Sequence, residues 1–391
     1  MDVARERNQA LLVEATANQV NQSGGYTGFK PAAFVDLIAE LARDAQLPIE
    51  KILIGADHLG PHVWRQESAA IAMERAEDLI VECIGAGFRK IHLDTAVACA
   101  DDDPPLSVEI AARRAARLCR AAEAAAQKQP YRPLYVIGTE VPVPGGGLNA
   151  ERSEVKVTDP TELSLMLDCF ADAFGAAGLA EAWRRIVAVV VQPGVDFGDR
   201  QVAVYRTHEA AELSAAHAKL DGSMVYEVHA TDYQPADAIA QMIRDHFTLL
   251  KVGPSLTFAM RESLYKLGEI ESRLPEIDRP ARLSEVLERT MLQKPEFWQA
   301  HYHGSEGELF FLRHNSLRDR IRYYWHEPAV KEAVAQLIRN LRRPIPLTLL
   351  RRFLPEISDQ VECDLLPAEP RAVVKAYIRR ALEPYVRVCG P

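Results

Sequence analysis

Asp57 and His58 stand side by side where the apolar run Ile52-Leu53-Ile54-Gly55-Ala56 gives way to Leu59-Gly60-Pro61. A carboxylate beside an imidazole suits metal-assisted proton transfer, with His58 as ligand and Asp57 as general acid or base. Neighbouring strand residues face opposite sides, so both reach one site only if the backbone turns, which Gly60-Pro61 permits. A loop-capping Asp beside a surface His is the competing reading. Glu227 and His229 are two apart in Val225-Tyr-Glu-Val-His229 and share a strand face. Turned inward, such a pair is costly without a function or partners. His92 and Asp94 repeat that spacing and read equally well as a site or as a hydrogen-bonded couple. Glu140 lies in Gly138-Thr-Glu-Val-Pro-Val-Pro-Gly-Gly-Gly147. That loop could close on a substrate or offer amides to a phosphate, or simply connect two elements. Lys251 ends an apolar run and could form a Schiff base with a ketose, touch a phosphate or make a rim salt bridge.

These residues end apolar β-type runs at 11–18, 52–58, 91–94, 135–140, 189–194, 225–229 and 249–253. Between most runs lies one amphipathic stretch. Residues 31–47, opening with Pro31, have apolar spacings of three and four, and 67–85, 107–127, 160–182, 207–219 and 256–274 read the same way. Alternating strand and helix predicts a parallel sheet, and polar groups at strand C-termini predict a (β/α)8 TIM barrel with one polar mouth. Seven runs are visible where a closed barrel of this type has eight, so a strand is unrecognised or the first βα unit is absent. After Gly253 the alternation fades, and prolines at 275, 280, 295, 328, 344 and 346 interrupt sequence without strand-length β-branched runs. We expect a barrel over 1–270 and a helical C-terminal extension over 271–391, packed on it.

At 391 residues, 48% hydrophobic and 26% charged, the chain can bury a large core. A formal net charge of -9 argues against nucleic-acid or anionic-membrane partners. Six cysteines form no CxxC pair and follow no signal peptide, and no apolar run approaches a membrane span of roughly 18 residues, so a cytoplasmic protein is expected. There is no P-loop, no Gly-x-Gly-x-x-Gly opening a helix and no Gly-x-Ser-x-Gly elbow, which leaves kinase, dinucleotide and serine-hydrolase chemistry unsupported.

Longer motifs carry a family resemblance: Glu-Ala-Thr-Ala-Asn-Gln-Val-Asn-Gln from 14 with Gly-Gly-Tyr-Thr-Gly from 24, Gly-Ala-Asp-His-Leu-Gly-Pro from 55, and Ile-His-Leu-Asp from 91. Gly-Thr-Glu-Val-Pro-Val-Pro-Gly-Gly from 138, Val-Gln-Pro-Gly-Val-Asp-Phe from 191, Glu-Val-His-Ala-Thr-Asp-Tyr-Gln from 227, Lys-Val-Gly-Pro from 251 and the segment Ser316–Trp325 extend it over nearly the whole chain. Together they resemble the accessory, non-catalytic subunit of class II D-tagatose-1,6-bisphosphate aldolase.

The resemblance implies a class II aldolase-like barrel acting with a separate catalytic subunit in galactitol or amino-galactose breakdown. Members have also been labelled tagatose-6-phosphate kinases, which the missing kinase motifs do not support, and some relatives are similar to ketohexose 4-epimerases. By resemblance Asp57 matches the proton donor or acceptor, His58 and His229 match metal ligands, and Glu140 falls on the strand with the family's acidic residue. A divalent metal, zinc above all, would then be held by His58, Glu140 and His229, with Asp57 or Glu227 moving the proton. Where aldolases have a second ligand histidine, this chain has Gln192-Pro193-Gly194, and Lys251–Ser255 replaces their phosphate segment. A ketose or ketose phosphate would meet Asn18, Gln19, Asp94, Gln192, Asp232 and Lys251. Family members usually have another strand and helix before the Glu14 segment, so an internal start is expected here. The resemblance thus implies an accessory subunit in an oligomer, and as its alternative a metal-dependent epimerase or aldolase in its own right.

Overall fold

The structure is a computed structural model that describes residues 1–138, 147, 155–222 and 224–388. Glu140 and most of its glycine loop lie outside the described residues. Seven parallel strands form one sheet: β1 (Leu11–Thr16), β2 (Ile52–Leu59), β3 (Lys90–Leu93), β4 (Leu134–Ile137), β5 (Ile186–Val190), β8 (Val225–Val228) and β9 (Phe247–Leu250), hydrogen-bonded in that order. A short antiparallel pair, β6 (Asp196–Phe197) and β7 (Val202–Ala203), lies between β5 and β8 in sequence and was not legible as a strand run.

Helices follow the strands. α1 (Asp2–Glu6) precedes β1, and α2 (Pro31–Asp44), α3 (Ala69–Ala86), α4 (Val108–Ala126) and α5 (Pro160–Ala176) each join successive strands. The expected helix over 160–182 breaks at Gly178, whose φ of 74° turns the chain into the short α6 (Ala180–Trp183). The stretch 207–219 yields α7 (Ala211–Ala216) and a 3-10 turn, while α8 (Ala236–Arg244) joins β8 to β9 and buries Ile239 and Met242.

The period-two alternation sorts side chains to the two faces of the sheet. Ile91, Leu93, Tyr226 and Val228 face the helices and join the large apolar core. On the inner face Val136, Ala188 and Val190 form a small apolar patch, whereas Glu14, Lys90, His92 and Glu227 bring charge inward. Their contacts require the sheet to curl: Lys90 of β3 reaches Glu14 of β1 and Glu227 of β8. The curled parallel sheet is that of a TIM-like α/β fold.

α9 (Pro254–Glu271) leaves the sheet and starts a second apolar core, in which its Leu264, Leu267 and Ile270 meet Leu287, Met291 and Leu337. Beyond it every regular element among the described residues is helical: α10 (Leu283–Gln293), α11 (Glu306–Asn315), α12 (Pro328–Asn340), α13 (Leu347–Phe353), α14 (Pro355–Glu362) and α15 (Pro370–Val388), with short 3-10 turns between. α15 packs back along α9 and α8, and the Tyr385 hydroxyl donates to the Thr231 carbonyl at 2.6 Å.

Candidate functional site

At the C-terminal end of the sheet, ionisable groups carried by β1, β2, β8 and β9 line a cavity of about 330 Å3, with Lys90 and His92 of β3 paired to them. β2 delivers Asp57 and His58 together through a bulge. His58 has φ 52°, and the β2–β3 register shifts between Ala56 and Leu59. The backbone thus turns at His58 itself rather than at Gly60-Pro61. Gly60 has a different task, since a Cβ there would lie 1.6 Å from the Asp94 carbonyl oxygen. Only glycine lets β2 come this close to the end of β3.

Three imidazoles stand in a triangle, with ring centroids 5.4 Å (His58–His92), 5.1 Å (His58–His229) and 5.3 Å (His92–His229) apart. Each has a carboxylate partner: His58 Nδ1 is 2.9 Å from Asp94 Oδ2, His92 Nδ1 is 2.8 Å from Asp57 Oδ1, and His229 Nε2 is 2.9 Å from Glu227 Oε1. Two lysines neutralise the carboxylates beneath. Lys90 Nζ lies 2.7 Å from Glu14 Oε1 and 2.6 Å from Glu227 Oε2. Lys251 Nζ pairs with Glu14, lies 3.0 Å from Asp57 Oδ2 and is 3.7 Å from Glu227 Oε1.

Burial works against every one of these charges, and the neighbours decide the outcome. Burial would raise the Asp57 carboxyl, but His58, Lys251 and His229 outweigh it and hold Asp57 well below the usual range. Glu227 is held low in the same way by Lys251 and Lys90. Burial would lower His58, yet Asp57 and Asp94 raise it, so it leans to the imidazolium. Burial prevails at His229 and pushes its pKa down to about 4. Asp57, Glu227 and Glu14 hold Lys251 above the ordinary lysine range, so it stays an ammonium and does not supply the free amine of a Schiff base.

The comparisons with known proteins agree over the full length. Residues 1–390 match the family described as D-tagatose-1,6-bisphosphate aldolase subunit GatZ/KbaZ-like. The chain belongs to this family. The D-tagatose-1,6-bisphosphate aldolase subunit GatZ of Klebsiella pneumoniae subsp. pneumoniae is 44% identical over 385 residues, covering 98% of this chain and 90% of that one. Its counterpart from Salmonella typhimurium is 43% identical over 383 residues, 97% and 90% of the two chains. The crystal structure of a probable tagatose 6 phosphate kinase from Sinorhizobium meliloti 1021 superposes with a TM-score of 0.91 at 40% identity, covering 99% of this chain and 95% of that one.

In this GatZ/KbaZ-like chain the residues singled out from sequence divide by location. Asn18, Gln19, Asp57, His58, His229, Asp232 and Lys251 line the cavity. Gln19 also accepts the Thr16 amide through Oε1 at 2.8 Å, which ends β1. Glu227 is wholly buried just beneath, and Asp94 is buried behind His58. Gln192 is occupied in its own loop, where Oε1 accepts the amides of Gly194 at 2.9 Å and Val195 at 2.8 Å. Glu140 lies outside the described residues.

Sequence reasoning missed Glu14, Lys90, Arg322 and Tyr323, and it left His92 undecided. A charge inside an otherwise apolar run was the available signal for Glu14 and Lys90. Arg322 and Tyr323 line the cavity from the C-terminal helices, and nothing local in the sequence marks them.

Among the described residues, Asp57, His92, Glu227 and His229 each offer one donor atom within 4.8 Å of the others. Of the expected ligands His58, Glu140 and His229, His229 belongs to this cluster and His58 stands beside it, while Glu140 lies outside the described residues. His92 Nδ1 lies 2.8 Å from Asp57 Oδ1 and 3.5 Å from the His58 amide, while its Nε2 is buried without a hydrogen-bond partner. A carboxylate that fixes the tautomer of an imidazole is the usual support of a metal-ligating histidine. The residues therefore fit a divalent cation, with the Lys251 ammonium as its neighbour. A larger hollow of about 470 Å3, lined by Arg279, Arg339, Arg342 and Arg343 among others, holds no such cluster.

Proposed function

We infer that this chain is the accessory subunit of class II D-tagatose-1,6-bisphosphate aldolase, stabilising and activating a separate catalytic subunit in galactitol and amino-galactose breakdown. The full-length likeness to proteins named as that aldolase's GatZ subunit carries the reading. A cytoplasmic place and an oligomeric assembly belong to it. The release of triose phosphate by a class II catalytic subunit, followed with and without this chain, tests it. Equal rate and equal thermal half-life in both samples would sink it.

A second reading, a metal-dependent ketohexose 4-epimerase or aldolase acting alone, is favoured by the buried donor cluster of Asp57, His92, Glu227 and His229. A divalent ion bound there, zinc in our reading, would supply Lewis-acid polarisation of a ketone. The chain's own groups have separate tasks. With His92, Glu227 and His229 holding the ion, Asp57, a carboxylate facing the cavity, would take a proton from the ligand. Lys251, 3.0 Å from it, offsets negative charge on a ligand oxygen. His58, bound to Asp94, returns a proton. Asn18, Gln19 and Asp232 orient hydroxyls. An NMR time course of the chain alone with free and phosphorylated ketoses, with and without chelator, separates the readings. Asp57→Asn abolishes turnover under the second and leaves activation of the partner under the first.

On the fold, we divide the chain into a barrel over 1–270 and a helical region over 271–391; two apolar clusters support two units, with Leu264, Leu267 and Ile270 of α9 in the second. β1 and β9 are the outer strands of the seven. We take the place of an eighth barrel strand to lie between them.

A further inference from the structure

The loop after β8 carries His229 into the cavity, and its backbone is strained at two positions. Ala230 has φ 55° and Tyr233 has φ 64°, the left-handed region that a residue with a Cβ enters at a cost. Such strain persists only where the surroundings over-determine it. Toward β9 the loop is well held: the Thr231 amide and hydroxyl both donate to the Lys251 carbonyl, at 3.2 and 2.6 Å, and Asp232 Oδ1 on the start of α9 accepts the Gly253 amide at 3.0 Å and the Ser255 amide at 2.8 Å. Toward α15 there is instead a hollow of about 260 Å3, lined by Tyr233, Ser255, Phe258, Leu317, Pro384 and Tyr385 among others. Two phenols tie the loop to the helical region beside that hollow. Tyr233 donates its hydroxyl to the Leu317 carbonyl, and Tyr385 of α15 donates to the Thr231 carbonyl, both at 2.6 Å. Burial first, and the Asp232 carboxylate after it, push the Tyr385 phenol up, so it stays a donor.

We propose that Tyr385 is a positioning residue for the cation site: its hydroxyl, carried on α15, fixes the Thr231 carbonyl and with it the direction in which His229 offers its ring to Asp57, His92 and Glu227. The inference rests on the reading of that cluster as a cation site. Thr231 is 0% exposed and stands two residues beyond His229, with left-handed Ala230 between them. A displaced Thr231 carbonyl has no exposed chain in which to dissipate, so the shift passes to His229. Ligand groups must be held within about 0.5 Å of their working geometry, and a hollow beside the loop leaves room for more than that. Pro384, immediately before Tyr385, takes one rung out of the α15 ladder. The end of α15 is therefore set by its contact with the loop as the loop is set by α15. The helical region supplies no member of the donor cluster, and it takes part in the site through this contact.

Calorimetric titration of the full chain with Mn2+, together with the EPR spectrum of the bound ion and a urea melt, tests the proposal on Tyr385→Phe and Tyr377→Phe. The second variant also loses a phenol hydroxyl from α15, but one that accepts from Lys266 Nζ of α9 at 3.1 Å. Tyr385→Phe is expected to bind Mn2+ about tenfold or more weakly, with an altered spectrum. Its urea midpoint should match that of Tyr377→Phe, whose Mn2+ affinity is that of the wild type. Unchanged affinity in Tyr385→Phe, or an equal loss in both variants, overturns the proposal. Tyr233→Phe, which frees the anchor at Leu317, takes the place of Tyr385→Phe if that variant does not fold. Should the wild type bind no Mn2+, the cation reading fails. Hydrogen exchange of residues 229–233 then decides the role of Tyr385 alone: exchange about tenfold faster in Tyr385→Phe than in Tyr377→Phe sustains it, and equal exchange overturns it.

Discussion

Lys90 Nζ lies 2.6 Å from Glu227 Oε2 inside the curl of the sheet, with the lysine side chain 2% and the glutamate side chain 0% exposed. The pair also fixes Glu14, 2.7 Å from the same ammonium. Removing one member of such a pair leaves an uncompensated buried charge, a loss of about 3–5 kcal/mol. Lys90→Met is therefore expected to lower unfolding stability in urea by that amount. The double variant with Glu227→Gln should recover part of it, because contacting groups are not additive. A single variant within about 0.5 kcal/mol of wild type would contradict the ion pair.

Gly60→Ala places a methyl group 1.6 Å from the Asp94 carbonyl. Backbone stands on both sides of the clash, so no rotamer relieves it. The β2–β3 end must separate, and with it the Asp94–His58 and Asp57–His92 pairs. A loss of about 3 kcal/mol or more is expected in chemical denaturation, and wild-type stability would show that the two strand ends are not so close.

His92 and His58 should differ as cation ligands. His92 belongs to the four-donor cluster and has a buried, unpartnered Nε2, whereas His58 is outside that cluster and held by Asp94. Calorimetric or EPR titration with Mn2+ is expected to show binding weakened about tenfold or more by His92→Ala. His58→Ala should weaken it less. Equal losses would restore His58 to the ligand set.

The site also sets an acid limit on stability. His229 titrates near pH 4 in the folded chain because burial disfavours its charge, while an unfolded histidine titrates near about 6.5. Between those values the unfolded chain binds a proton that the folded chain refuses. Stability present above pH ~6.5 is thus lost at about 1.4 kcal/mol per pH unit on the way down. His301, also lowered to about 4, acts in the same direction. His58 has the opposite sign: Asp57 and Asp94 raise it, so its contribution is complete below pH ~6.5 and is lost as pH rises through its folded value. Urea titrations at pH 7, 6 and 5 should give a steeper decline for wild type than for His229→Gln. Parallel declines would mean that His229 is not held neutral.

Lys251 is expected to resist Schiff-base trapping. Three carboxylates hold its ammonium, and a protonated amine does not attack a carbonyl. Borohydride added with a ketose should leave the mass of the protein unchanged. A stable adduct on Lys251 would reverse this assignment.

Period-two alternation alone put His92 and Asp94 on one face of their strand and Glu227 and His229 on one face of theirs, because a strand allows its side chains no other arrangement. Strand ends, most helices and the polar mouth were legible for the same local reason. Which charges meet was not. Glu14 and Lys251 are 237 positions apart in sequence, and they touch only because the sheet curls until β1 and β9 bring their ends together. The left-handed turn at His58, the carboxylate of Asp232 on the start of α9 and the arrival of Arg322 from the helical region likewise depend on tertiary packing. Local sequence pattern dictates which way a side chain points, whereas the closing of distant elements decides what it faces, and in a buried site the facing groups set charge, tautomer and ligand.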